Sequence, residues 1–173
     1  MVGAAALTVG VALSCSACTV PHGSVMGVGV DDAGRLVGYL RVCHDHIDGA
    51  TIYLPTDGFN GKTVGEWSAS QPVTDYASWS LVEPTDGWTT ELALPKLKAG
   101  VDYQFYGGTN ENTWSAMGSD FTKADVDSMQ PGMVWYSAAL TDRATGAVTW
   151  SHVQVTVDEF KSNACNTLAA AGG

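Results

Sequence analysis

The densest group of side chains able to do chemistry is Cys43-His44-Asp45-His46-Ile47-Asp48. In an extended segment successive side chains point to opposite faces, so His44, His46 and Asp48 would share one side and could bridge a transition metal. The same residues equally suit a strand that leaves a sheet and turns at Asp48-Gly49, and the sequence supplies no third His beside them. The turn reading is preferred over the metal reading, and no cofactor is expected.

Six Trp and six Tyr offer flat faces of the kind that stack on sugar rings. Trp88, Trp135 and Trp150 fall within alternating strand patterns, where core packing accounts for them. Trp67, Trp79 and Trp114 fit the core less well. Trp114 closes the segment 109–114, in which Asn110, Glu111 and Asn112 carry amide and carboxylate groups suited to hydroxyls. A carbohydrate-binding surface would therefore draw on Trp114, Asn110, Asn112 and Trp67. For catalysis the chain has no G-x-S-x-G, S-x-x-K, H-E-x-x-H, phosphate-binding glycine loop or spare Cys-His pair. It is not expected to be an enzyme.

The elements that must position these residues read as short strands. Residues 133–141 and 147–157 form two runs around Asp142-Arg143-Ala144-Thr145-Gly146, whose Asp, Thr and Gly suit a hairpin loop. A lone hairpin is marginal in water, so it must pair with earlier strands. Those are 24–30 and 35–43 around Asp31-Asp32-Ala33-Gly34, then 50–54, 64–68, 79–82 and 88–94. In 35–43, Leu36, Leu40 and Val42 share one face while Arg35, Tyr39 and Arg41 share the other, the pattern of a half-buried strand. The stretch 55–78 is broken by Asp57-Gly58, Asn60-Gly61, Gly65 and Pro72 and reads as largely loop, a place to look for binding.

Two helix starts carry caps. Thr122 with Asp125, flanked by Phe121 and Val126, and Thr156 with Glu159, flanked by Val155 and Phe160, both match a capping box with a hydrophobic staple. The second helix should carry Cys165 near its end. A flexible small-residue tail is expected over 167–173.

Composition bounds the partners. Eighteen acidic against eight basic residues give a net charge of -10, which repels phosphate backbones and excludes nucleic acid as an expected partner. With 45 % hydrophobic residues a chain of this length builds one core without help. No charged side chain precedes Asp31, and residues 2–13 are apolar apart from Thr8, ending in Ser14-Cys15-Ser16-Ala17-Cys18. About a dozen apolar residues followed by small ones is the layout of an export leader, short of the roughly 20 that a membrane span needs.

Small residues before a cysteine resemble the lipobox of bacterial lipoproteins, in which the leader is cleaved and the cysteine acylated. Cys18, preceded by Ser16 and Ala17, fits better than Cys15, the alternative. Cleavage at Cys18 also leaves Cys43 and Cys165 as an even pair able to form a disulfide in an oxidising exterior. The leader departs from the pattern in lacking Lys or Arg near Met1. The expected organisation is a leader over 1–17, a tether over 18–23, a β domain over 24–166 and the tail.

Leu97-Lys98-Ala99-Gly100-Val101-Asp102-Tyr103 resembles the corner motif of immunoglobulin-like and fibronectin type III sandwiches, in which the Tyr hydroxyl bonds back to the corner backbone. Met129-Gln130-Pro131-Gly132-Met133-Val134-Trp135 repeats it loosely, and the sequence leaves open which is the corner. The many short strands and the two capped helices imply an all-β, antiparallel immunoglobulin-like sandwich. Leader, sandwich and cysteine pair together resemble small secreted lipoproteins of Gram-positive, particularly actinobacterial, type. That resemblance implies a location, anchored by lipid to the outer face of the cell membrane or else secreted, more than an activity; a monomer with a binding or structural role toward a cell-envelope protein or glycan is expected.

Overall fold

The computed structural model describes residues 20–56, 58–142 and 144–170. Cys15 and Cys18, and with them the leader and lipidation readings, lie outside the described residues. Within the described residues ten strands and two helices follow one another: β1 (His22–Val30), β2 (Leu36–Val42), β3 (Ile47–Thr56), β4 (Gly58–Val73), β5 (Tyr76–Ser80), β6 (Trp88–Leu92), β7 (Asp102–Gly108), β8 (Ser115–Thr122), α1 (Lys123–Ser128), β9 (Met133–Thr141), β10 (Val148–Thr156) and α2 (Val157–Ala170). No helix among them is long and apolar enough to cross a membrane.

The all-β class read from the sequence is the one observed. The strands hydrogen-bond into a single coiled sheet that runs β5-β2-β1-β8-β7-β3-β4-β6, instead of two separate layers. The edges β5 and β6 meet where Trp79 stacks on Trp88, which leaves the sheet nearly closed. One pair, β1 with β8, is parallel, a departure from the wholly antiparallel sheet expected.

The branch point is β1. Along one edge it pairs with β2 from Ser24 to Val30. Along the other, its first half pairs with β8 and Val28 pairs with Trp135 of β9. The β9-β10 hairpin thus peels away from the rolled sheet. Gly27 and Gly29 permit it: a Cβ on Gly29 would collide with the Met133 carbonyl oxygen, and one on Gly27 with the Val134 side chain.

This arrangement makes two apolar clusters. Inside the roll lie Met26, Val28, Leu40, Ile52, Trp67 and Phe105. Outside it, Val25, Tyr39, Val134 and Tyr136 are covered by Phe160, Ala164 and Leu168 of α2. On the outer face of β2, α2 covers Tyr39 while Val37 and Arg41 stay partly exposed, so the half-buried reading is amended only at Tyr39. Phe160 is edge-on to both Tyr136 and Tyr39, the aromatic geometry that favours ring edge against ring face. Cys43 and Cys165 are disulfide-bonded, with Cα atoms 5.7 Å apart, so the end of β2 is tied to α2.

The caps are as read. The Asp125 N–H donates to Thr122 Oγ1 and the Thr122 N–H to Asp125 Oδ2, while Thr156 and Glu159 exchange the same pair of bonds. The corner is at Tyr103, whose hydroxyl accepts the Lys98 N–H at 2.9 Å. Trp135 does not reproduce it: its Nε1–H donates to the Asp120 carbonyl.

Two stretches differ from expectation. The supposed loop over 55–78 is mostly strand, because β4 runs for 16 residues against β3. Its Gly65 falls beside a register shift at Ile52/Tyr53, where an irregular ladder tolerates glycine. The supposed tail is helix through Ala170, with Thr167 and Leu168 buried, because that last turn covers the outer cluster.

Candidate functional site

Two regions gather polar and aromatic groups, and they are built by different elements. The first joins the β2–β3 connection to the β7–β8 loop. The chain bends at Asp45, which sits in the left-handed region with φ 59°, a conformation that Asp tolerates better than most residues. The bend parts the two histidines. His44 turns outward and stacks on Trp114, with ring centroids 6.3 Å apart. His46 turns inward: its Nδ1 lies 2.5 Å from Asp45 Oδ1 and its Nε2 lies 3.3 Å from Asp48 Oδ2.

Asp48 is 8 % exposed, and its Oδ2 accepts the Asn110 N–H at 2.9 Å. Thr109 shapes the loop that supplies this donor, since its Oγ1 accepts the N–H groups of both Thr113 and Trp114. The loop brings Glu111 alongside, so that donor atoms of His46, Asp48 and Glu111 all lie within 4.8 Å of one another. The hydrogen bond that the Asp45 carboxylate accepts from the His46 ring, above all, holds the His46 pKa above its ordinary value, and the charge of Asp48 adds to this.

The sequence-predicted trio is therefore only partly assembled. His46 and Asp48 meet, His44 does not join them, and Glu111 takes the third place. Glu111 belongs to the segment already notable for its amides, but only the pairing of β3 with β7 shows that this segment faces Asp48.

The second region is a cleft of about 460 Å³ between β10 and the outer face of β7, β8 and β3. Tyr53, Tyr106 and Trp150 supply its rings, and Gln104, Asp120 and His152 its polar groups. Burial pushes the Tyr53 hydroxyl pKa up, so this phenol stays neutral and able to donate. At the cleft's flank His152 stacks on Trp135 at 5.4 Å with planes 9° apart.

Trp88 is buried as the sequence reading has it, but Trp67, Trp79 and Trp150 depart from that reading. Trp67 is 1 % exposed and edge-on to Phe105 inside the roll, and so has no face to offer a sugar. Trp79 is likewise interior. Trp150, assigned to the core by its strand alternation, is 52 % exposed, because β10 is an outermost strand and Trp150 borders the open cleft. Asn110 and Asn112 line a smaller hollow of about 290 Å³ with Asp48, Thr51, Glu66 and Tyr106, which shares only Tyr106 with the larger cleft.

Comparison of the chain with protein-family models, with curated proteins and with solved structures finds no match.

Proposed function

We propose that this chain is an exported, lipid-anchored protein of the cell envelope that binds a ring-bearing polyhydroxyl ligand, an envelope glycan, without chemistry of its own. The carrying observation is the Trp150 cleft. An indole half in solvent stands over a concavity whose walls alternate aromatic rings with an amide, a carboxylate and an imidazole. Stacking on the apolar face of a sugar while side chains bond its hydroxyls needs that mixture. The volume is within the roughly 300 to 1,000 Å³ typical of small-ligand sites.

The envelope location rests on the apolar, uncharged leader ahead of Cys18 and on the Cys43–Cys165 disulfide, a bond that persists in oxidising compartments. On the finer fold, the Tyr103 corner supports kinship with immunoglobulin-like sandwiches, whose two layers would here be joined into one roll.

Binding to peptidoglycan and to insoluble polysaccharide, measured by co-sedimentation of the mature protein, tests the glycan reading. Trp150→Ala is expected to abolish retention while Trp114→Ala leaves it intact. Retention indifferent to Trp150→Ala removes the cleft from the account. Globomycin treatment, or Cys18→Ala, is expected to move the protein from the membrane to the soluble fraction, and unchanged membrane retention in both would remove the lipid anchor.

A further inference from the structure

The His46 cluster is not used by the cleft, and it sets two carboxylates, Asp48 and Glu111, against a single imidazole. Asp48 is a carboxylate whose side chain is 9 % exposed, with a second carboxylate, Glu111, beside it. Among the described residues neither is paired with a Lys or Arg. A buried carboxylate with a like-charged neighbour is costly unless a cation sits with it. We infer that His46, Asp48 and Glu111 form a site for a first-row divalent cation of the zinc type, which pins the β7–β8 loop to the start of β3.

Three features of the geometry carry this. Two donors on one tetrahedral zinc ion, each about 2.1 Å from the metal, stand roughly 3.4 Å apart. His46 Nε2 and Asp48 Oδ2 are already 3.3 Å apart, and Glu111, exposed on its loop, needs only a small adjustment to complete the set. Secondly, Asp45 occupies the ring nitrogen that faces away from the cluster. A carboxylate on the far nitrogen fixes ring orientation and leaves the other nitrogen to the metal, the usual outer arrangement of a ligating histidine. Thirdly, the Asn110 N–H holds Asp48 Oδ2 in place from the opposite loop, so the ligand is oriented before any ion arrives.

The donor chemistry selects the class of ion. One imidazole with two carboxylates suits a borderline ion such as Zn²⁺, whereas Ca²⁺ takes six to eight oxygen donors. Water supplies the coordination positions that three protein donors leave over. The inference is independent of the glycan reading, because no ligand of the ion lines the Trp150 cleft.

The test is calorimetric titration of the EDTA-treated, untagged mature protein with Zn²⁺ alone, accompanied by thermal melts. One-to-one binding in the micromolar range or tighter is expected, with a rise in melting temperature. Glu111→Gln, an exposed loop change that leaves the core untouched, should weaken binding at least tenfold and remove the rise. Asp45→Asn should weaken binding by about 10- to 100-fold through the His46 ring. His44→Ala should leave both readouts unchanged. The inference fails if no saturable binding is found, since protonated His46 bridging Asp45 and Asp48 would then be the whole of the cluster's chemistry. It fails equally if Glu111→Gln binds as the parent does, or if Ca²⁺ binds more tightly than Zn²⁺.

Discussion

Trp79 and Trp88 lie face to face, with ring centroids 3.7 Å apart and planes within 8°, and this contact brings together the two edge strands β5 and β6. Among the described residues neither strand has a hydrogen-bonded neighbour on its far side. The stack therefore substitutes for a missing ladder. Truncating either ring to Ala removes a large buried surface and leaves a cavity, with an expected loss of about 3 to 5 kcal/mol in denaturant unfolding. A loss under about 1 kcal/mol would mean that the roll does not depend on this seam.

The Cys43–Cys165 bond closes a loop with a sequence separation of 122. In the chain-entropy model a loop of that length corresponds to about 5 kcal/mol, an upper figure because strain and residual denatured structure reduce it. The double change Cys43→Ser with Cys165→Ser should lower stability by several kcal/mol while leaving the Trp150 cleft competent, since the bond lies at the α2 end of the molecule. Intact mass before and after reduction, differing by two hydrogens, verifies the starting state.

At Gly29 an added methyl meets backbone, the Met133 carbonyl, which cannot swing aside as a side chain can. Gly29→Ala should cost at least about 1 to 3 kcal/mol. Gly108→Ala is the matched control: its nearest neighbour would be 3.9 Å away, ordinary contact, and the change should be nearly neutral. Equal effects at the two positions would show that β9 does not cross β1 as closely as described.

Glu159 accepts the Thr156 backbone N–H at the start of α2, and this bond, followed by the one from the Thr156 hydroxyl, holds its pKa below the ordinary glutamate value. A carboxyl with a depressed folded pKa adds stability that is fully present above its unfolded pKa and is lost as pH falls through the folded one. The Glu159 contribution to the urea midpoint should therefore be constant above about pH 5 and fall away below about pH 4.3, so that Glu159→Gln shows a shallower fall on the acid side. An identical slope in the variant would show that the cap does not persist in solution.

What was legible in the sequence was local. The β9-β10 hairpin, both capping boxes and the Tyr103 corner are each fixed by residues a few positions apart, so their patterns survive in one dimension. The closure of the sheet is not local: β1 meets β8 across about ninety positions, as the 93-residue gap between hydrogen-bonded His22 and Ser115 shows. The fate of each tryptophan followed from that closure. Alternation places Trp67 and Trp150 on a face of a strand, but only the position of the strand in the sheet decides whether that face is covered. Glu111 was hidden for the same reason, since its partner Asp48 is brought to it by the pairing of β3 with β7. His44 was misplaced by the left-handed turn at Asp45, which breaks the two-residue period on which the metal reading relied.

The branched strand has a further consequence, for the order of events. β1 leads the described chain, yet its neighbours β8 and β9, and the α2 residues that cover its outer side, come from the far end. One edge of β1 can pair early with β2, but its other edge and its outer apolar side must wait until nearly the whole polypeptide is present. If the chain is exported as proposed, it would thus carry at most the β1-β2 hairpin in transit and complete its shape late, on the other side.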